Sequence, residues 1–121
     1  MSVKSVLYVN VQTAGYQPLV DTYEAGDCLV FEIEIPGINP EEVLIKVHND
    51  VVIVQGVKRE VPRSGNLRYL CMERKFAGFR RLLKIPVPVN VSEGRALYRD
   101  GVITLRFPKM RSRVLKIEIE K

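Results

Sequence analysis

Few residues in this chain combine the type and the spacing that chemistry needs. His48 is the one histidine, and it stands beside the Asn49-Asp50 pair at an outward-facing position, with no second imidazole or thiol near it to complete a zinc site. Cys28 and Cys71, the two cysteines, are too few for a disulfide framework and lack metal-ligand spacing. They read as two free thiols in a reducing compartment. Glu41-Glu42 has no apolar setting that would raise a carboxyl pKa for acid–base work. No Gly-rich loop ends in Lys-Ser or Lys-Thr, so nucleotide-driven work is not expected. The five tyrosines, Tyr8, Tyr16, Tyr23, Tyr69 and Tyr98, read as core or interface residues rather than a base-stacking platform. The expectation is a protein with no catalytic residue, no metal and no cofactor.

What remains is charge and apolar surface. The net charge is +5, and from Lys58 to Lys84 nine Lys/Arg stand against two Glu, a local balance of +7. Such an excess attracts nucleic acid or acidic partners. Here the charges are dispersed among apolar residues, which is the pattern of solvated strand faces. A β-sheet nucleic-acid binder using Arg74, Lys75, Arg80, Arg81 and Lys84 is therefore the minor alternative, and no nucleic acid is expected. With 46% apolar residues and no Trp in 121 residues, the chain has enough material for one domain with a core. No apolar run is long enough for a membrane span and no signal-peptide pattern opens the chain, so the cytoplasm is the expected location.

The period along the chain is two, which means strands. Leu19–Tyr23 is a short strand, turned at Ala25-Gly26-Asp27. Leu29, Phe31, Ile33 and Ile35 then alternate with Val30, Glu32 and Glu34 until Pro36-Gly37 ends the run. Val43, Ile45 and Val47 form the inward face of the next strand. Asn49-Asp50 turns it, and Val51–Gln55 returns it as an antiparallel partner. The polar stretch 57–66 is a loop, and Leu67–Glu73 alternates weakly. Phe79, Arg81, Leu83 and Ile85 share one face of a further strand. Arg81 is thus a charge on an apolar face that must find an acid or a partner chain. Val89–Gly94 is a loop. Asp100-Gly101 is a tight primed turn requiring positive φ, and past it Ile103, Leu105 and Phe107 face one side. Pro108 ends that strand. Near the end of the chain Ile117 and Ile119 project to one side about 7 Å apart when extended. On spacing alone, residues 115–120 read as the last strand of the chain's own sheet.

Ala96-x-x-x-Asp100-Gly101-Val102-Ile103, followed by Phe107-Pro108-Lys109, resembles the α-crystallin domain signature of small heat shock proteins, the Hsp20 family. Asp21-x-Tyr23-Glu24, Glu34-Ile35-Pro36-Gly37 and Gly78-Phe79-x-Arg81 are similar to further motifs of that family. Ile103 stands where Leu is preferred, and Gly94 where an apolar residue is usual. The resemblance covers residues 19–120. It implies an all-β fold, an immunoglobulin-like β-sandwich of two antiparallel sheets with eight or nine strands. It also implies an organisation of N-terminal arm (1–18, short for the family), α-crystallin domain (19–109) and C-terminal extension (110–121).

The function it implies is that of an ATP-independent holdase, assembling through dimers, with non-native client proteins as its partners besides itself. Leu67, Arg68, Tyr69, Leu70, Cys71 and Met72 would form a strand exchanged between subunits, with Arg81 at the same interface. The physical reason is that a lone strand on a loop leaves its donors unpaired unless another edge accepts it. A groove for clients or tails would lie along Val43, Ile45, Val47, Val91, Ala96, Leu97 and Tyr98, with Ile117-x-Ile119 as its plug. A co-chaperone module of the p23 type shares the fold but lacks that tail, and is the alternative reading.

Overall fold

The computed structural model describes residues 16–110 and 116–121; most of the arm, including Tyr8, and the connector 111–115 lie outside them. Seven strands form among the described residues: β1 (Leu19–Ala25), β2 (Cys28–Glu34), β3 (Val43–His48), β4 (Val51–Val57), β5 (Gly78–Lys84), β6 (Arg95–Arg99) and β7 (Val102–Pro108). Each is a run with the two-residue period, and each break falls where the backbone is forced. Between β6 and β7, Asp100 and Gly101 both take positive φ, 53° and 80°. This is the conformation of a primed turn, which matches the twist of the strands it joins. Short 3-10 turns at Pro40–Glu42 and Val91–Glu93 lead into β3 and β6.

The strands build two antiparallel sheets. One has the order β1-β2-β7-β6, the other β3-β4-β5. Alternation sends Leu29, Phe31 and Ile33 of β2 and Ile103, Leu105 and Phe107 of β7 into the space between them. There they meet Val52 and Val54 of β4 and Phe79 and Leu83 of β5. Phe31 and Phe107 meet edge to face at 6.2 Å, an arrangement favoured by their quadrupoles. Tyr16 and Pro18 belong to this body as well. Pro18 is fully buried, and the Tyr16 ring meets Phe79 at 6.0 Å and 85°, while its hydroxyl donates to the Glu34 carbonyl at 3.0 Å.

Three local expectations differ from the fold. Val30, read as an outward residue, is fully buried, because β2 is an inner strand whose neighbours Tyr23 and Arg106 stand beside Val30 and cover it. Leu67–Glu73 forms no strand within the described chain, where seven strands stand rather than eight or nine; the exchanged strand expected of this segment needs a second copy. No neighbouring edge offers it donors and acceptors there, and alternation alone does not hold a strand. Residues 116–121 likewise add to no sheet, which removes the last-strand reading for them.

Candidate functional site

A sandwich of open sheets ends in strands that are hydrogen-bonded on one side only, and here these ends gather the candidate residues. Arg81, paired with Val54 on the inward face of β5, donates from Nη1 to the carbonyl of Pro18. This contact, with Tyr16 against Phe79, sets β5 over the β1 end of the larger sheet. The β3 edge of the smaller sheet consequently lies on the β6 side. Of the two partners expected for Arg81, an acid or a partner chain, no carboxylate pairs with it among the described residues; within its own chain a backbone carbonyl just ahead of β1 accepts its hydrogen bond.

Val43, Ile45 and Val47 are half-buried and pack on the core. On β6, register with Leu105 and Ile103 turns Ala96 and Tyr98 inward, and the Tyr98 hydroxyl donates to the Ile35 carbonyl at 2.9 Å. These five residues share the inward sides of two terminal strands, apolar toward the core and uncovered at the edge. Leu97 does not join them. It pairs with Thr104 on the outer face and is 62% exposed, because successive residues of a strand point to opposite faces. Val91 lies in the 3-10 turn before β6 and lines a separate apolar cavity of about 350 Å³ with Val87, Val89 and Met110, beside the Asn49-Asp50 turn.

Gly94 has a definite role in this region. A Cβ there would come within 2.6 Å of Cε1 and 2.8 Å of Cδ1 of Phe107, so the Phe107 ring fills the volume that a side chain would take. The tail is the complementary element: Ile117 and Ile119 are 86% and 90% exposed.

At the other edge, β1 pairs only with β2. Leu67, Arg68, Tyr69, Leu70, Cys71 and Met72 are all exposed, at the tip of a loop whose base is closed by the Lys58 amide donating to the Ala77 carbonyl at 2.9 Å. Their one side-chain tether among the described residues is the Tyr69 hydroxyl, which donates to Glu60 Oε1 at 3.1 Å. His48 is exposed and no group of His, Cys, Asp or Glu among the described residues could hold a metal ion. Cys28 and Cys71 are free thiols. The lysine of β5, Lys84, forms an ion pair with Asp50, and that hydrogen bond with its accompanying charge holds the Asp50 carboxyl below its ordinary range. Hydrogen bonding to Glu32, at 3.0 Å, raises the Tyr23 hydroxyl. No helix of the described chain is long and apolar enough to cross a membrane.

A feature that sequence reasoning missed is the sorting of charge on the outer face of the larger sheet, with Asp21, Glu32 and Glu34 on its β1–β2 half and Arg95, Arg99 and Arg106 on its β7–β6 half. No local signal points to it, since it exists only once the strand order is known.

Two antiparallel sheets with edge strands open among the described residues and an exposed Ile117-x-Ile119 tail make an all-β sandwich. The model of the Hsp20/alpha crystallin family matches residues 21–120, and the chain belongs to that family. It is 28% identical over 104 residues to small heat shock protein C2 of Rickettsia felis, covering 85% of this chain and 68% of that protein. It is 32% identical over 106 residues to the 18.8 kDa class II heat shock protein of Ipomoea nil, covering 85% and 64%. The chain thus spans about two thirds of the length of these relatives. Among solved structures, HSP18.5 from E. histolytica superimposes with a TM-score of 0.71 at 25% identity, covering 86% of this chain and 99% of that one.

Proposed function

We propose that this chain is a holdase chaperone of the cytoplasm, working without nucleotide and without covalent chemistry by occupying the exposed apolar segments of unfolding proteins. The observation that carries the reading is a set of only partly buried apolar residues on two edge strands, read as a slot, together with a tail whose two isoleucines are almost wholly in water. A soluble domain that leaves such surfaces unsatisfied is built to have them covered by something else. The slot is Val43, Ile45 and Val47 with Ala96 and Tyr98. Ile117 and Ile119 of another copy fill it at rest, and an extended apolar segment of a client competes for it.

Magnitudes explain why competition works. Burying two isoleucines yields about 3–6 kcal/mol gross. Ordering a free tail and losing its translational freedom takes back much of that, so each plug is weak and exchanges readily. A client held through several such contacts gains from their linkage, whereas one tail does not.

Assembly starts from dimers in this reading. Among the described residues the segment Leu67–Met72 has no strand partner, and β1 is paired on its β2 side alone. One copy's segment adding to the partner's β1 edge satisfies both by β-augmentation. Arg81 sits under that edge through its bond to Pro18 and stiffens it from beneath.

The test is light scattering of a heat-labile model enzyme with and without the purified chain at equimolar subunits. Suppressed scattering, with the enzyme recovered in a soluble complex, is the expected result. Unchanged scattering would sink the holdase reading.

A further inference from the structure

The outward residues of the larger sheet stand in rows that cross β1, β2, β7 and β6 in that order. One row is Leu19, Glu34, Val102, Arg99, and the next is Asp21, Glu32, Thr104, Leu97. The third is Tyr23, Val30, Arg106, Arg95. Carboxylates therefore occupy the β1–β2 half of the face and arginines the β7–β6 half. Arg95 and Arg106 are directly opposed across the β6–β7 pair, a placement that costs stability when nothing neutralises it. The three arginines, Asp21 and Glu34 are exposed. Among the described residues none of these five side chains forms an ion pair. Glu32 accepts from the Tyr23 hydroxyl at 3.0 Å. Leu19 and Leu97 stand exposed among the charges.

We infer that this face stacks on the same face of a second copy, about a two-fold axis that runs along the strands. The inference goes beyond the holdase reading and uses neither the tail nor the two open edges. What selects the occupant is charge complementarity. An in-plane axis across the strands would lay each strand over itself, acid on acid and arginine on arginine. An axis along the strands instead carries β1 over β6 of the second copy and β2 over its β7, with the rows kept in step. Asp21 then comes over Leu97 of the second copy, midway between its Arg95 and Arg99. Those two arginines are four residues apart on one strand, so each lies about 7 Å from that midpoint, a gap that an arginine side chain spans. Glu34 comes over Val102, beside Arg99 in the same row. Glu32 comes over Thr104, two residues along β7 from Arg106. Tyr23 comes over Arg95, a cation–π placement. Asp100 lies in the turn beyond the three rows, at the end of the face.

Side chains of stacked sheets interdigitate, so a carboxylate seated between arginines fits better than one set head-on against another charge. The two-fold axis repeats every contact, as an isologous interface requires. Four strands about 4.8 Å apart, over three rows, make a face of a few hundred Å² per copy. A stable dimer needs about 800 Å² from each partner. The contact is therefore weak and salt-sensitive, and it gathers copies rather than locking a pair. Repulsion in the alternative stacking fixes its direction.

Sedimentation velocity of the full chain, over a range of protein concentration in low and in raised salt, reads this association. The parent shows a concentration-dependent step that salt weakens. Asp21→Arg with Glu34→Arg, or Arg95→Glu with Arg99→Glu, weakens that step roughly tenfold or more, since each change acts twice across the axis. Asp21→Asn with Glu34→Gln, which keeps side-chain size, gives a smaller loss in the same direction. An equimolar mixture of the two reversed pairs recovers the step. So does one chain carrying all four reversals, whose face is again complementary to itself; damage to folding would not be repaired in this way. Association indifferent to salt and to every variant overturns the inference. So does loss in both reversed pairs with no recovery in the mixture or in the fourfold variant, which would place these charges at some other contact.

Discussion

Replacing Gly94 with Ala lowers stability, although Gly94 has an ordinary negative φ of −65° and nothing in the backbone asks for glycine. The reason is steric. The new methyl lands 2.6 and 2.8 Å from two Phe107 ring carbons and 3.2 Å from the Val91 carbonyl oxygen. Phe107 is 2% exposed and its ring is pinned edge to face by Phe31, so it has little room to withdraw. Overpacking of a core by one methyl costs about 1–3 kcal/mol. Against this stands the entropy that Ala removes from the unfolded chain, about 0.4–1 kcal/mol. The net expectation is a loss of about 1–2 kcal/mol, or roughly 3–8 °C in Tm for a chain of this size. Urea unfolding at fixed protein concentration reads it, with concentration held constant because any self-association adds stability by mass action. In a double-mutant cycle, Phe107→Leu in the Gly94→Ala background relieves the clash, with a coupling above about 0.5 kcal/mol. An alanine variant as stable as the parent, with additive behaviour in the cycle, would refute the packing argument.

Two further outcomes follow from the same geometry. Arg81→Ala removes the charged donor to the Pro18 carbonyl and costs about 1.5–3 kcal/mol, while Arg81→Lys recovers part of it; chemical denaturation of both variants is the check. The Asp50 carboxyl is held below its ordinary range by the Lys84 hydrogen bond and charge. Its contribution to stability is therefore complete above the ordinary carboxylate pKa and is lost as pH falls through the depressed one. With both side chains more than half exposed, the contribution is small and screened by salt. An NMR titration of Asp50 should return to the ordinary range in Lys84→Met.

Most strands were legible because each half-buried face repeats every second residue and each turn carries a residue suited to its φ, Asp100-Gly101 most plainly. Val30 was misplaced for a physical reason: whether an outward residue is covered depends on the strands beside it, and those neighbours are distant in sequence. Arg81 shows the same limit. Its unusual face was visible, but its acceptor is a backbone carbonyl of a residue 63 positions away, and a carbonyl has no sequence signature. Leu97 was grouped with Ala96 and Tyr98 by contiguity, where alternation should have separated it. Leu67–Met72 has the weak pattern of a strand and pairs with no edge among the described residues, so sequence could mark it as a candidate but not supply its partner. The opposed charges of the two sheet edges are a property of strand order, fixed by pairings among four strands that no local window contains.

Amide hydrogen exchange along Leu67–Met72 in the purified full chain, measured across protein concentration, tests most directly whether open edges are completed by other copies. The account predicts slow exchange in this segment and in β1 together, with protection falling in step on dilution. Exchange at free-loop rates at every concentration, in protein that still suppresses client aggregation, would contradict it.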